Sequence, residues 1–192
     1  MKQTEAVPSG TEWVKKNIRE FPGSPFERIG TGWMLITAAN LDGGKGNWNT
    51  LTASWGGFGV LWQKDVAFVY IRPSRQTFGF INNASIFTLS FFDETYRSAL
   101  NLCGEKSGRD IDKAAAAGLT PIFFQNGSKV NGAAIYGAVS FREAKDIIIC
   151  KKLYTHDFIP EHFLDRDAIE ECYHGKDYHR MFIGEIMGYL TK

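Results

Sequence analysis

Apolar and polar residues alternate along much of this chain with a period of two, the spacing that sends successive side chains to opposite faces of a strand. Gly32–Asn40 (GWMLITAAN) reads as a strand of apolar and β-branched residues, closed by the turn-forming stretch Leu41–Gly46. Asn49–Trp55 (NTLTASW) alternates strictly, with Asn49, Leu51, Ala53 and Trp55 on one face and Thr50, Thr52 and Ser54 on the other. A strand face made only of hydroxyls either meets water or holds an anion or a sugar-like chain. Asp65–Arg72 (DVAFVYIR) is the clearest buried strand and ends at Pro73. Ile86–Phe92, Ala133–Phe141 and Glu143–Tyr154 read as further strands, the last carrying the apolar run Ile147–Cys150. Met181–Leu190 is the final strand, in which Gly184 and Gly188 mark a bulge or a close backbone approach.

Helical signals are short. Thr77–Asn83 reads as a helix with Thr77 as its N-cap. Thr95–Leu102 is closed by Gly104, and the alanine-rich Asp110–Ala117 by Gly118. Pro160–Phe163 suggests a helical turn and Ala168–Tyr173 a short helix. Thr11–Arg19 reads as a short helix or an extended arm; Trp13 and Phe21 point to packing on another surface, a second subunit being one option. The organisation is thus an N-terminal arm over 1–31 and one domain over 32–192. Six or seven strands without regular βα alternation favour an all-β fold, an antiparallel barrel with helical insertions, over a doubly wound sheet.

Composition narrows the class. At 192 residues the chain can bury a core without disulfide or metal support. Twenty glycines and 14 % aromatics fit a turn-rich β protein. The net charge of +1 provides no global field for nucleic acid or anionic membrane, although a local basic cluster can still hold a small anion. Cys103, Cys150 and Cys172 are odd in number and form no CxxC, so reduced thiols are expected. The N-terminus lacks a secretory h-region, and no apolar run reaches the ~18 residues of a membrane span. A cytoplasmic location is the expectation.

Three segments carry candidate chemistry. In Arg72-Pro-Ser-Arg-Gln-Thr, a buried strand ends in arginine, and Arg75, Ser74 and Thr77 precede a helix. Arginines, hydroxyls and helix N-terminal amides suit a phosphomonoester. A solvated strand-to-helix turn accounts for the same residues, and on pattern alone that plainer reading is preferred. Lys106-Ser-Gly-Arg-Asp lies between two helices, where a glycine lets backbone amides approach a ligand; an exposed polar loop is the plainer reading. His179 follows Asp177 at the mouth of the last strand, where it can donate to a bound ring or guide a proton, or be merely structural. The glycines match neither a Walker loop nor GxGxxG, and no HExxH, Cys/His cluster or GxSxG elbow is present, so no metal site is expected.

In chain order these segments resemble the flavin reductase-like, FMN-binding split-barrel family, most closely its flavoredoxin branch. The match rests on NTLTASW with Gly56-Gly57, on Tyr70-Ile-Arg-Pro-Ser-Arg-Gln-Thr, and on Phe87-Thr-Leu-Ser-Phe-Phe. It continues through Gly104-Glu-Lys-Ser-Gly-Arg-Asp-Ile-Asp-Lys and Gly118-Leu-Thr-Pro to Asp177-Tyr-His-Arg-Met-Phe-Ile-Gly-Glu-Ile. The resemblance implies a Greek-key split β-barrel that dimerises, with FMN near the subunit interface. Thr50, Thr52, Ser54, Arg72, Ser74, Arg75 and Thr77 would then meet the phosphate or ribityl chain. Asn49, Trp55, Gly56 and Gly57 would border the ring, and Lys106, Ser107 and Arg109 would approach from the inter-helix loop. His179 is the implied catalytic residue, at the face where a nicotinamide stacks. NAD(P)H is the implied reductant, with free flavin or another acceptor receiving the electrons. A non-enzymatic FMN electron carrier between redox partner proteins is the alternative.

Overall fold

A computed structural model describes residues 13–40, 47–124, 129–130, 133–135 and 137–192. Among these it has twelve strands and four α-helices, more strands than the six or seven read from the sequence. The single strand expected over Ala133–Phe141 is instead two short ones, Ala133–Ala134 and Val139–Phe141. The turn expected over Leu41–Gly46 and the first residues of the arm lie outside the described residues. The strands are β1 (Val14–Lys16), β2 (Met34–Ala39), β3 (Trp48–Ala53), β4 (Gly56–Leu61), β5 (Lys64–Ile71) and β6 (Ile86–Phe91). The remainder are β7 (Pro121–Phe123), β8 (Lys129–Val130), β9 (Ala133–Ala134), β10 (Val139–Phe141), β11 (Asp146–Asp157) and β12 (Arg180–Thr191). Helices α1 (Gln76–Asn83), α2 (Arg97–Glu105), α3 (Lys113–Ala117) and α4 (Asp167–Cys172) fill the connections. No helix among the described residues is long and apolar enough to cross a membrane.

The main sheet is antiparallel, in the order β3-β2-β6-β11-β12-β5-β4, with β1 added to β12. Its two terminal strands, β3 and β4, are consecutive in the chain and joined only by Ser54 and Trp55. Such a short link spans about 10 Å at most, so the sheet must curl until its ends nearly meet. Ser54 and Trp55 therefore mark the seam of a rolled barrel.

Burial on both faces explains why several strands read as unbroken apolar runs. In β11, Ile148 and Cys150 join the barrel interior with Met34, Phe87, Leu89 and Phe182. Ile147 and Ile149 face the other way, into a second cluster with Ile122, Phe124, Ile135 and Leu190. A third cluster, Leu35, Leu100, Cys103, Ala114 and Phe141, seats α2 and α3 on the sheet. The two glycines singled out in the last strand stand at its irregularities. Gly188 pairs with Ile149 and Gly184 with Lys152, each beside a register shift. A Cβ on Gly184 would come within 2.6 Å of Phe87 and 2.8 Å of Cys150.

Local differences from the sequence reading have physical causes. Of the two readings of the arm, the extended one holds over Val14–Lys16, because β12 offers it a pairing edge. Trp13 packs in this chain's own core, its Nε1 donating to the Ala144 carbonyl at 3.2 Å, and Phe21 packs against the rings of Phe58, Phe91 and Tyr189. Helix α2 runs through Gly104 to Glu105, its C-cap being Lys106. Gly118 does end α3, in the left-handed conformation at φ 66° that glycine adopts freely. Arg75, not Thr77, is the N-cap of α1, while Thr77 is buried in the first turn.

Candidate functional site

A cavity of about 210 Å³ opens at the barrel seam, lined by the end of β3, the end of β5 and the start of β12. Thr52, Ser54, Trp55, Arg72, Arg75 and His179 line it together with Tyr70. Residues from three distant stretches thus converge where the barrel is split. The seam leaves strand ends without a neighbour, so side chains there face a hollow instead of a ladder.

The turn after β5 is built by a backbone bond from Arg75 to the Arg72 carbonyl at 3.0 Å, with Pro73 in the position where its fixed φ is favourable. Asp177 accepts bonds from both the backbone amide and the hydroxyl of Ser74. No side chain caps the first amides of α1. That helix end carries partial positive charge suited to an anion. Arg75 Nη2 donates to the Gly104 carbonyl at 2.6 Å, and Lys113 Nζ to the carbonyls of Thr50 (2.8 Å) and Cys103 (2.9 Å). Both cations therefore sit against the C-terminal carbonyls of α2, the negative end of its dipole.

Positive charge is concentrated here. Among the described residues, Arg72, Arg75 and Lys113 form no ion pair. Burial lowers the proton affinity of Arg75, and Arg72 lowers it further. Lys113 is pushed down to about 8 by burial and then by Arg75, against a smaller upward effect of Cys103. A buried cation with neutral partners and cationic neighbours gains from an arriving anion.

His179 is buried at 8 % exposure and is held down to about 4 by burial and then by Arg72, with Asp177 acting in the opposite direction. Its Nδ1 lies 2.8 Å from the Tyr173 hydroxyl, and its ring centroid is 5.0 Å from that of Trp55. The imidazole is neutral at pH 7. Arg72 donates to the Cys172 carbonyl at 2.8 Å and lies over the Tyr173 ring at 5.2 Å.

The other sequence candidates are placed around this cavity and do not line it. Thr50 is fully buried, its hydroxyl bonded to Thr37 and to the Ile36 carbonyl, so it has no access to a ligand. The hydroxyl face is accordingly not a free row: Thr52 donates to the Leu100 carbonyl, and Ser54 lies beyond the strand end. Asn49 is buried and donates to Gln76 and Thr77. The Lys106–Asp110 loop docks at the same place. Gly108 leaves no room for a side chain beside Asn49 and Gln76, Arg109 Nη1 reaches the Ser74 carbonyl at 3.4 Å, and the Ser107 hydroxyl accepts from the Arg109 amide. Lys106 is exposed on this loop. Gly56 packs so closely on the Phe68 carbonyl that a Cβ would lie 2.7 Å from it, whereas Gly57 faces open space. Tyr70 and Tyr173 were not among the sequence candidates. Tyr70 belongs to a run that reads as strand alone, and Tyr173 to a helix end whose contact with His179 arises only from the fold. Among the described residues no three metal-binding side chains come together.

Residues 26–191 match the family model described as the flavin reductase like domain. Solved structures share the fold at low identity. An FMN-binding domain of a flavin reductases-like enzyme from Shewanella baltica OS155 is 13 % identical with a TM-score of 0.61, over 94 % of this chain and 78 % of that one. Flavoredoxin of Desulfovibrio vulgaris (Miyazaki F) is 22 % identical with a TM-score of 0.59, over 83 % and 69 %. The NADH:FAD oxidoreductase of Streptomyces globisporus C-1027 is 12 % identical with a TM-score of 0.55, over 84 % and 76 %. No curated protein matches the chain. The split barrel seen in these structures is the antiparallel barrel described above.

Proposed function

Since the chain belongs to the flavin reductase like domain family, we propose that it is an FMN-binding flavoprotein that takes hydride from NADH or NADPH at the barrel seam. It then passes the electrons to free flavin or another acceptor. The observation that carries this reading is the group Arg72, Arg75 and Lys113, three buried or half-buried cations with no carboxylate partner among the described residues. A phosphate monoester dianion suits that group, because Arg75 and the uncapped start of α1 offer both charge and amide donors. The residues present therefore fit FMN.

When bound, FMN supplies the hydride-accepting ring, so the protein needs no nucleophile of its own. The chain's residues perform the remaining tasks. Arg75 and Lys113 set the charge of the phosphate end. Trp55, 44 % exposed beside the cavity, offers an indole surface to a planar ring. His179 provides a neutral imidazole close to that surface. The proposal extends to a homodimer: β4 is one end of the sheet, and Val60 and Trp62 on that hairpin are exposed, as a second copy would require.

Anaerobic addition of NADH and NADPH to the FMN-loaded protein tests the reading. Loss of the oxidised-flavin absorption with turnover supports the reductase. A yellow protein reduced only by a partner protein identifies an electron carrier instead, and a chain that takes up no FMN rejects both. Sedimentation tests the dimer.

A further inference from the structure

Tyr173 and His179 lie only six residues apart, yet they belong to different elements. Tyr173 is the C-cap of α4, and His179 immediately precedes β12. Between them the chain turns back, so that the phenol and the imidazole meet edge to face, with centroids 5.6 Å apart and the hydroxyl 2.8 Å from Nδ1. We infer that Tyr173 is a positioning residue that holds His179 as its neutral Nε2–H tautomer, leaving the imidazole to donate one fixed hydrogen bond toward the cavity.

Two observations support this assignment. The first concerns the phenol proton. Apart from His179 Nδ1, no acceptor is placed at the Tyr173 hydroxyl among the described residues. If Nδ1 carried the proton, the buried phenol O–H would have nowhere to donate, whereas donation into an unprotonated Nδ1 satisfies both groups. Second, the surroundings disfavour the doubly protonated ring that would make the question void. Arg72 approaches from the end of β5 and packs over Tyr173, Trp55 closes another side without charge, and Asp177 is engaged by Ser74. Tyr178 and Cys172 are the remaining titratable groups facing Tyr173. Burial keeps the Tyr173 phenol protonated by raising it above the usual tyrosine range, so it stays a donor.

The nitrogen that a histidine presents to its site is set by the bond its other nitrogen makes. Here that bond reserves Nδ1 for the protein. Nε2, on the opposite edge of a ring that lines the cavity, is left as a donor. This inference rests on the proposed function only for the identity of the acceptor, which would be an electron-rich oxygen or nitrogen of the bound flavin or nicotinamide. The tautomer depends on this chain's residues alone.

Long-range proton–nitrogen NMR correlations of the full chain, labelled at histidine and free of any ligand, give a direct test. We expect His179 to show a protonated Nε2 and an unprotonated Nδ1 throughout neutral pH. A protonated Nδ1 in the wild type overturns the inference, and that measurement needs no variant. In Tyr173→Phe, the two neutral tautomers should become mixed, while an unchanged spectrum in the folded variant also overturns it. With FMN loaded, the same variant should keep its FMN affinity, lose about tenfold in the rate of reduction by NADH, and acquire a new acid limb in the pH profile, consistent with one neutral hydrogen bond. Failure of the wild-type chain to bind FMN, with the Nε2–H spectrum intact, would reject the functional reading and leave the tautomer assignment standing.

Discussion

Lys113 and Arg75 share one acceptor: Lys113 Nζ lies 2.9 Å and Arg75 Nη2 3.4 Å from the carbonyl oxygen of Cys103. Burial, and then the nearby Arg75 charge, lowers the proton affinity of Lys113 to about 8. An arriving phosphate reverses that shift, since an opposite charge favours the protonated amine. FMN affinity should therefore be full between about pH 7 and 8, where the phosphate is a dianion and Lys113 is protonated, and fall as pH rises further and the free chain loses the Lys113 proton. At pH 8–9, binding should take up a proton. Calorimetry in two buffers of different ionisation enthalpy checks this, and Lys113→Met should abolish the buffer dependence.

Arg75 and Ser74 are adjacent in sequence but have different roles. Arg75→Ala removes a charge-assisted contact and should weaken FMN binding by about 1.5–3 kcal/mol, roughly ten- to 150-fold. Ser74→Ala should change the affinity by no more than about twofold, as expected of an exposed substitution, because its hydroxyl is engaged by Asp177. Fluorescence titration of FMN with the two variants distinguishes them. Equal losses would place the serine in the phosphate site after all.

The buried His179 links stability to acid. Its folded value of about 4 lies below the ordinary 6.5, so the unfolded chain binds the proton first as pH falls. The associated stability is complete above about pH 6.5 and declines down to about pH 4, by at most about 3 kcal/mol. Urea midpoints measured at pH 7 and pH 4.5 should show this decline, and His179→Asn should reduce it.

Asp146 is fully buried and accepts from Arg28 and from the Tyr189 hydroxyl, each at 2.6 Å. Together these bonds fasten the Phe26–Thr31 helical turn to β11 and β12. Asp146→Asn leaves the Arg28 charge without its partner and should cost about 3 kcal/mol, lowering Tm by roughly 6–12 °C. Thermal unfolding measures it, and a shift below about 2 °C would show the pair to be dispensable.

Two glycines should respond in opposite directions. Gly184→Ala forces a methyl against Phe87 and Cys150 and should destabilise by about 1–3 kcal/mol. Gly79→Ala places its methyl in open space on α1, where alanine should gain up to about 1 kcal/mol through helix propensity. Chemical denaturation of both variants provides the comparison.

Strand positions were legible because alternation is a local property. The strand read over Asp65–Arg72 is β5 over Lys64–Ile71, and that read over Ile86–Phe92 is β6 over Ile86–Phe91. Helix ends were less legible. Thr77 has the chemistry of an N-cap, but its hydroxyl accepts from Asn49, a residue 28 positions earlier that the barrel brings beside it. Gly104 looks like a helix stop, yet it lies within α2 and leaves room for Thr52, whose Cβ would be 3.4 Å from an added methyl. Both outcomes depend on contacts between elements, which local propensity does not encode.

The sequence by itself determined that this is an antiparallel β protein, located most strands of its main sheet though not β4, and showed that arginines and a histidine stand at strand ends where a ligand can reach them. Side-chain periodicity and turn chemistry act over a few residues and are visible in one dimension. Only the tertiary structure decided which hydroxyls remain available, because α2 covers β3 and takes up Thr52, while the sheet itself takes up Thr50. It alone brought Lys113 to Arg75 and Tyr173 to His179. Those pairings follow from the docking of the C-terminal end of α2 beside Arg75 and Lys113 and from the turn between α4 and β12, and their energies depend on burial and neighbouring charge, which exist only once the chain has folded.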